Sequence, residues 1–230
     1  MIPYERTAIM TGCFFKPHRE LTLFKHVEEI KKLPNTVLKM LITHTPIHHK
    51  IYDAYDIVLY DRNNVADEDR QFSYGAAESM LIKQGLMVAN YYHKEWMIKL
   101  GFDLIPDEIE RVFDWFEFTP KHKMVSMTHG RFGVGTLAFL VNVKWGLKNL
   151  PEFRTIDEMF QGKEGQHLEF AIGKHLVKRG VFEDVYRIEN GINKMFKQIQ
   201  GCPEYCNDNW DWAYPQEENK NLLKRFKGEL

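Results

Sequence analysis

Segments with the composition of β-strands alternate with segments of helical periodicity along the first half of the chain, and this alternation restricts the possible folds most strongly. The strand-like runs are short, apolar and bounded by turn residues, and they fall at residues 7–11, 37–43, 57–60 and 96–100. Between them, apolar residues recur at the spacing of a helix face. Strands that are separated by helices pair in parallel through right-handed crossovers. The sequence therefore predicts an α/β fold.

The second half of the chain departs from this alternation. Residues 123–128 and 134–144 have strand composition without a long helix between them, which predicts an antiparallel or mixed edge of the sheet. The last segment, 201–230, is polar and aromatic, and we expect it to pack on the domain as a C-terminal tail. No repeat or flexible linker divides residues 1–230, so we expect one domain with a mixed, mainly parallel central sheet.

Composition and charge exclude several classes of protein. The chain carries 31 Lys and Arg against 32 Asp and Glu, and this balance argues against a strongly basic nucleic-acid coat or an acidic disordered tail. No stretch approaches the roughly 18 apolar residues of a membrane helix, and the N-terminus lacks the layout of a signal peptide. Three cysteines are a sparse and odd number. The sequence therefore predicts a cytoplasmic protein without a membrane span.

Polar residues stand at the ends of three predicted strands. Thr11 ends the first strand, Asp61 follows the third and Asp103 follows the fourth. In an open α/β sheet, ligands bind outside the carboxyl ends of the strands. A carboxylate there can hold a ribose or a hard divalent cation such as Mg²⁺ or Mn²⁺. A single Asp at such a place is more often a turn or helix-cap residue, whereas three polar strand ends at one edge indicate a site.

The segment Trp-Met-Ile-Lys-Leu-Gly-Phe-Asp at 96–103 resembles the apolar strand and aspartate that carry the metal-binding motif of GT-A-type nucleotide-sugar glycosyltransferases. The order of the preceding elements is also similar to that family. A strand, a loop with Arg19 and a helix come first, and a strand that ends at Asp61 follows. A helix with Gly-Ala-Ala-Glu at 75–78 then leads into the motif strand.

The downstream part of the chain resembles the acceptor side of small glycosyltransferases of phage and viral type. This likeness rests on the glycine-rich strand at 133–139 and on Glu169 in the helix that follows. The whole resemblance runs from about residue 7 to residue 188 as an order of elements. It implies a single GT-A-like, Rossmann-like domain that acts as a hexosyl- or pentosyltransferase on a nucleotide-diphosphate sugar. The hydroxyl acceptor would be a glycan or a modified base in DNA.

The resemblance also implies roles for particular residues. Thr11 and Asp61 would contact the nucleoside of the donor. Lys99 or Arg19 would face the diphosphate, where a cation stabilises the charge that develops on the leaving group. Glu169 would orient the acceptor hydroxyl or take its proton as a general base.

A divalent cation, Mn²⁺ or Mg²⁺, is implied in the same way, with Asp103 as its ligand. The family motif commonly carries two carboxylates two residues apart, and this sequence has Gly101 at the first of those positions. Asp208 and Asp211 in the tail are candidates for further ligands. Because only one ligand of the motif is present, metal independence stays open.

A zinc deaminase is the alternative enzyme class. His167 and Glu169, followed by Cys202 and Cys206, are similar to the pattern in which a His and two Cys bind zinc while a Glu moves protons. In this sequence the proline follows the first cysteine, and the two cysteines are one residue further apart than the pattern requires. An unligated pair of cysteines in a loop is the more common outcome of such spacing.

Two further interpretations concern binding rather than chemistry. Lys174, Lys178 and Arg179 lie along one predicted helix and could contact phosphates of a nucleic acid, although many acidic residues offset them. The glycine-rich loop at 130–135 is suited to a close approach to phosphate, but it lies between two strands rather than before a helix. A non-catalytic carbohydrate- or nucleotide-binding module is the remaining alternative.

Overall fold

A mixed sheet lies at the centre of the computed structural model, which describes residues 3–13, 20–44, 46–61, 73–102, 109–129, 131–160 and 167–188, with 221, 224–225 and 227–229 near the C-terminus. The strands are β1 (Thr7–Cys13), β2 (Leu38–Thr43), β3 (Ile57–Tyr60), β4 (Trp96–Gly101), β5 (Met124–His129), β6 (Gly133–Asn142) and β7 (Val185–Ile188). The α-helices are α1 (Glu20–Lys32), α2 (His49–Tyr52), α3 (Ser73–Tyr91), α4 (Val143–Asn149), α5 (Ile156–Phe160) and α6 (Leu168–Lys178). Short 3₁₀ helices occupy Tyr4–Arg6, Ile109–Phe118 and Phe182–Asp184.

The strands follow one another across the sheet in the order β3-β2-β1-β4-β6-β5-β7. β1 is parallel to both β2 and β4, and β2 is parallel to β3. β6 is antiparallel to β4 and β5, and β7 is parallel to β5. The prediction of a mixed, mainly parallel sheet is therefore confirmed. The chain leaves β1 toward β2 on one side and returns to β4 on the other, so the boundary between β1 and β4 is the topological switch point.

Helices cover both faces of the sheet, and the apolar residues divide between two cores. One core joins the sheet to α1 and to the Ile109–Phe118 helix, and Ile98 and Leu100 of β4 belong to it. The other core joins the sheet to α3, α4 and α6, and Met97 belongs to it. Successive side chains of a strand point to opposite faces. This alternation places Lys99 on the α3 face, where it contacts that helix.

Strand β6 carries an irregularity opposite β5. Ser126 of β5 pairs with Phe139, whereas Thr128 pairs with Val134, so β6 has more residues than its partner over this interval. The Ser126 hydroxyl donates a hydrogen bond to the carbonyl oxygen of Gly135 across the irregularity, at 2.7 Å. A bulge of this kind redirects the side chains of the longer strand. Thr136 lies in the redirected part.

The predicted strands are present with small shifts of their ends. The helix at Ile109–Phe118 is of the 3₁₀ type, and α2 is a single turn. The helix expected near 193–199 and most of the tail at 201–230 lie outside the described residues. Lys227 of that tail forms an ion pair with Glu20, with 2.7 Å between Nζ and Oε2. Among the helices of the described ranges, none combines the length and apolar character that crossing a membrane requires.

Candidate functional site

A lysine lies inside the sheet beside the switch point. The Lys99 side chain is only 2% exposed, and its ammonium donates hydrogen bonds to Glu78 Oε1 of α3 and to the Thr136 carbonyl oxygen of β6, the latter at 2.6 Å. A Cβ at Gly12 would lie 3.4 Å from Lys99 Cε, so β1 passes directly beside the lysine stem. A charged lysine is almost never buried without partners. Glu78 and the Thr136 carbonyl supply them here.

The Thr136 hydroxyl stands between two carboxylates. It lies 2.9 Å from Glu169 Oε1 of α6 and 3.4 Å from Glu78 Oε2. A threonine hydroxyl has one proton, so it can donate to only one carboxylate at a time, and the shorter distance favours Glu169. We call Glu78, Lys99, Thr136 and Glu169 the acid–lysine cluster. With its three ionisable groups charged, the cluster carries one negative charge in excess.

Four elements place this cluster at the carboxyl end of the parallel strands. Lys99 comes from the second half of β4, whose Gly101 pairs with Gly12 near the end of β1. Helices α3 and α6 bring the two carboxylates over the same edge. The Glu78 side chain is 32% exposed, so the cluster opens to solvent on the carboxylate side while the ammonium stays buried. The arrangement offers carboxylate oxygens to a ligand at the place where open α/β sheets bind ligands.

Asp61 belongs to a second polar group against the same helix. Its carboxylate is largely buried and accepts a hydrogen bond from Gln84 Nε2 of α3 at 2.5 Å. The buried ring of His44 lies 3.3 Å from the Asp61 carbonyl oxygen through Nδ1 and 3.4 Å from the Ala77 carbonyl oxygen through Nε2. Because Ala77 adjoins Glu78 in α3, this helix connects the Asp61 group with the acid–lysine cluster.

The placement of Thr11 corrects an expectation from the sequence. We expected its side chain to contact a nucleoside, but it is fully buried on the α1 face of the sheet. Thr11 Oγ1 lies 2.8 Å from His26 Nε2 and accepts a hydrogen bond from the Tyr55 hydroxyl at 2.9 Å. The alternation of side chains along β1 therefore turns Thr11 away from the cluster and into the core.

Several predicted site residues lie outside the described residues: Arg19, Asp103, Asp208, Asp211 and the cysteines of the deaminase pattern, Cys202 and Cys206. Among the residues that are described, no three His, Cys, Asp or Glu side chains come together as a metal site. The acid–lysine cluster does not fit a metal either, because the partner of Glu78 is an ammonium group. The described donors thus do not by themselves hold the expected Mn²⁺ or Mg²⁺.

Sequence reasoning named Lys99 for the donor and Glu169 for the acceptor, and it missed Glu78 and Thr136 as members of the same cluster. One signal for Glu78 was present: a lysine within the apolar strand at 96–101 requires an anionic partner, and Glu78 stands among the buried residues Ala76, Ala77 and Leu81 of α3. Thr136 had no comparable signal, because its position depends on the bulge in β6.

Comparison with known proteins finds similarity in structure but not in sequence. No family model matches the sequence, and no curated protein matches it. The 4-diphosphocytidyl-2C-methyl-D-erythritol synthase of Anaerococcus prevotii superimposes with a TM-score of 0.53 at 10% identity, over 98% of each chain. Galactosyltransferase LgtC, solved with donor and acceptor sugar analogues, gives 0.51 at 9% identity over 97% of this chain and 99% of its own. Glycosyltransferase GlyE of Streptococcus pneumoniae gives 0.50 at 11% identity over 93% of this chain and 52% of its own.

At 9–11% identity, the likeness to these three structures is one of fold. The carboxyl-edge position of the acid–lysine cluster is also the position at which open α/β sheets bind their ligands. The chain therefore has a GT-A-like α/β fold built on a mixed, mainly parallel sheet.

Proposed function

We propose that this protein is a glycosyltransferase that moves a sugar from a nucleotide-diphosphate sugar to a hydroxyl acceptor. The observation that carries the proposal is the acid–lysine cluster at the carboxyl edge beside the switch point. The likeness of the fold to LgtC and GlyE, both of which are named as glycosyltransferases, adds support. The sugar and the acceptor stay open to experiment.

Glu169 acts on the acceptor in this proposal. Only its Oε1 is engaged by Thr136, and no hydrogen bond to Oε2 occurs within the described part of the chain. In the transfer, the acceptor oxygen forms a bond to the anomeric carbon while the bond from that carbon to the phosphate oxygen breaks. The nucleoside diphosphate leaves with the electron pair, and the acceptor proton passes to Glu169.

Lys99 and Glu78 hold the geometry of the site. The buried ammonium fixes the Glu78 carboxylate and the β6 backbone at Thr136, and through Thr136 it fixes the orientation of Glu169. Such preorganisation of charged groups lowers the reorganisation needed as charge moves in the transition state. Because the Lys99 ammonium is engaged by Glu78 and the Thr136 carbonyl oxygen, we assign the contact with the diphosphate to Arg19 rather than to Lys99.

The donor is assigned to the carboxyl edge between β1, β3 and β4. Asp61 binds the nucleoside, and Arg19 faces the diphosphate. Thr11 supports this region from within the core and does not contact the donor. If Mn²⁺ or Mg²⁺ binds, Asp103, Asp208 and Asp211 are the residues that would hold it, and the ion would neutralise charge on the diphosphate.

Nucleotidyl transfer is a second candidate. Among the three solved structures compared above, the diphosphocytidyl-methylerythritol synthase has the greatest TM-score, 0.53, and matches both chains over 98% of their length. The two reactions release different products. A glycosyltransferase releases a nucleoside diphosphate from a nucleotide sugar, whereas a nucleotidyltransferase releases pyrophosphate from a nucleoside triphosphate.

The proposed function is tested by donor binding and turnover. UDP- and GDP-sugars are titrated with Mn²⁺ and with EDTA while the melting temperature is recorded, and products are identified by mass spectrometry. We expect stabilisation by one nucleotide sugar and release of its nucleoside diphosphate. Asp103→Ala should weaken the stabilisation, and Glu169→Gln should stop release without weakening it. Glu117→Gln is the matched control, because Glu117 is exposed on the 3₁₀ helix of the opposite face.

Other outcomes would contradict the proposal. No stabilisation by any nucleotide sugar would remove it, and pyrophosphate release from a nucleoside triphosphate would favour the second candidate. Binding without release, unaffected by Asp103→Ala and Glu169→Gln, would indicate a non-catalytic module. Zinc retained by the purified protein, together with release of ammonia from a nucleoside, would favour the deaminase.

A further inference from the structure

Two arginines are stacked on two phenylalanines at the end of the β5–β6 hairpin. The Arg131 guanidinium carbon lies 5.1 Å from the centroid of the Phe132 ring, and that of Arg187 lies 4.9 Å from the centroid of Phe182. The two rings meet edge to face with 6.4 Å between centroids. We call Arg131, Phe132, Phe182 and Arg187 the arginine–phenylalanine patch. Stacking on a ring limits the motion of a guanidinium group and leaves its N–H edge available.

The patch is attached firmly to the fold. Arg187 of β7 donates a hydrogen bond from Nη1 to the Arg131 carbonyl oxygen at 2.7 Å, which ties the edge strand to the hairpin turn. On the other side, α6 touches the turn at Gly173, where a Cβ atom would overlap with the Phe132 carbonyl oxygen. A residue larger than glycine at 173 would therefore force the helix and the turn apart.

The patch lies close to the proposed acceptor side of the site. Gly173, which contacts the hairpin turn, is four residues after Glu169, and this separation is about one turn or roughly 6 Å along the axis of α6. Residues four apart lie on the same side of a helix. Phe132 also precedes Thr136 by four residues at the start of β6. The same helix and the same strand thus connect the patch with the acid–lysine cluster.

The charges of the patch are not neutralised by neighbouring carboxylates. Within the described ranges, neither Arg131 nor Arg187 forms an ion pair with a carboxylate. Of the nearby acidic residues, Asp184 accepts a hydrogen bond from Trp145 Nε1 at 2.8 Å, and Glu183 is exposed. The patch therefore presents two guanidinium groups and the 45% exposed ring of Phe132.

We propose that the arginine–phenylalanine patch binds a phosphate group of the acceptor, which is a phosphorylated saccharide. This inference rests on the proposed glycosyl transfer. Guanidinium groups bind phosphate through paired N–H bonds, and each guanidinium of the patch lies over an aromatic ring that limits its motion. The exposed Phe132 ring offers an apolar face to a sugar ring. An extended nucleic acid would require a longer basic groove than the two arginines of this patch provide, on a chain of net charge -1.

The experiment compares glucose 6-phosphate with glucose, and inorganic phosphate with sulfate, as probes of the patch. Binding is measured by calorimetry or by NMR shifts in the presence and absence of the donor found above. We expect glucose 6-phosphate to bind at least about tenfold more tightly than glucose. Arg131→Gln should abolish that preference. Arg131→Lys should keep only part of it, because an ammonium group lacks the paired N–H donors of a guanidinium group. Lys121→Gln is the matched control, since Lys121 is exposed before the amino end of β5.

Each result decides between the two proposals. Equal binding of glucose and glucose 6-phosphate with intact donor binding would overturn the phosphate assignment alone. Equal losses in Arg131→Gln and Lys121→Gln would overturn it as well, because the effect would then be one of general charge. Tighter binding of a single-stranded oligonucleotide than of glucose 6-phosphate would assign the patch to nucleic acid instead. Absence of donor binding would overturn the proposed function and, with it, the proposal that the patch binds the acceptor.

Discussion

Two polar groups lie almost side by side in the sheet, on neighbouring strands and on opposite faces. Thr11 of β1 pairs in register with Leu100 of β4, the residue next to Lys99. On the α1 face, Thr11, His26 and Tyr55 form a hydrogen-bonded network that is buried away from solvent. On the α3 face, Lys99 belongs to a charged cluster whose carboxylates reach solvent.

The difference separates a structural polar group from a candidate catalytic one. In the Thr11 network a hydrogen bond can stabilise the fold but cannot meet a ligand, because all three side chains are buried. In the acid–lysine cluster the buried ammonium positions carboxylates that a ligand can reach. Substitutions on the α1 face should therefore lower stability without lowering activity, whereas substitutions on the α3 face should lower activity.

The largest expected effect is on turnover. Glu169→Gln should lower transfer by about 10²- to 10⁴-fold, because the amide cannot take the acceptor proton. The free energy of unfolding should change little, since glutamine can still accept the hydrogen bond from Thr136. Steady-state release of nucleoside diphosphate and a urea titration measure the two quantities. A stability loss that accounts for the activity loss would contradict the assignment of Glu169.

Lys99→Met should affect both quantities. Methionine keeps the volume of the buried stem but leaves Glu78 and the Thr136 carbonyl oxygen without the ammonium, at a cost of about 2 to 4 kcal/mol in unfolding free energy. Turnover should also fall, because Glu169 loses its fixed orientation. The double variant Lys99→Met with Glu78→Gln should recover part of the stability and none of the turnover. Additive stability losses in the double variant would show that the two side chains do not interact.

The substitution Thr11→Val tests the buried network of Thr11, His26 and Tyr55 on the α1 face. The substitution removes a hydroxyl that interacts with both His26 and Tyr55, and we expect a loss of about 1 to 3 kcal/mol in unfolding free energy with unchanged turnover per folded molecule. Thr7→Val is the matched control, because Thr7 is equally buried and its hydroxyl makes a hydrogen bond to the Pro3 carbonyl oxygen. A smaller loss is expected for the control. A changed KM for the donor in Thr11→Val would show that Thr11 contributes to donor binding.

The smallest effect concerns pH and the helix that carries Glu169. Burial is the main cause that lowers the pKa of His175 below 6.5, and the charge of Arg179 adds to it. The folded state therefore favours the neutral ring, and stability should fall as the pH drops below about 6.5, where the unfolded chain gains a proton more readily. His175→Gln should remove this part of the pH dependence. Melting temperatures of both proteins at pH 7.5 and 5.5 provide the measurement, and parallel changes would contradict the assignment.

The sequence predicted the fold well because its signals are local. The strand-like runs, the helical spacing of Leu23, Val27 and Ile30 and the absence of a long helix between β5 and β6 each indicate one element and its pairing. The apolar spacing of Ile109, Val112 and Phe116 also indicates a helix, but not its type, because spacing of three or four residues is compatible with both an α-helix and the 3₁₀ helix that is present.

The site was predicted less completely, for physical reasons. Lys99 and Glu169 carry chemistry that can be recognised in a sequence. The face of the sheet on which the Thr11 side chain lies depends on strand register. The position of Thr136 depends on a bulge that the neighbouring sequence does not predict. The partnership of Glu78 with Lys99 joins residues 21 positions apart and arises only when α3 packs on β4.

The most direct test of the central claim is the release of nucleoside diphosphate from the stabilising nucleotide sugar, measured by mass spectrometry for the wild type, Glu169→Gln and Thr11→Val. Water can serve as the acceptor in this assay, so the natural acceptor need not be known. We predict release by the wild type and by Thr11→Val, and a loss of at least about a hundredfold in Glu169→Gln. Equal release by the wild type and Glu169→Gln, or a loss confined to Thr11→Val, would contradict the assignment of catalysis to the acid–lysine cluster.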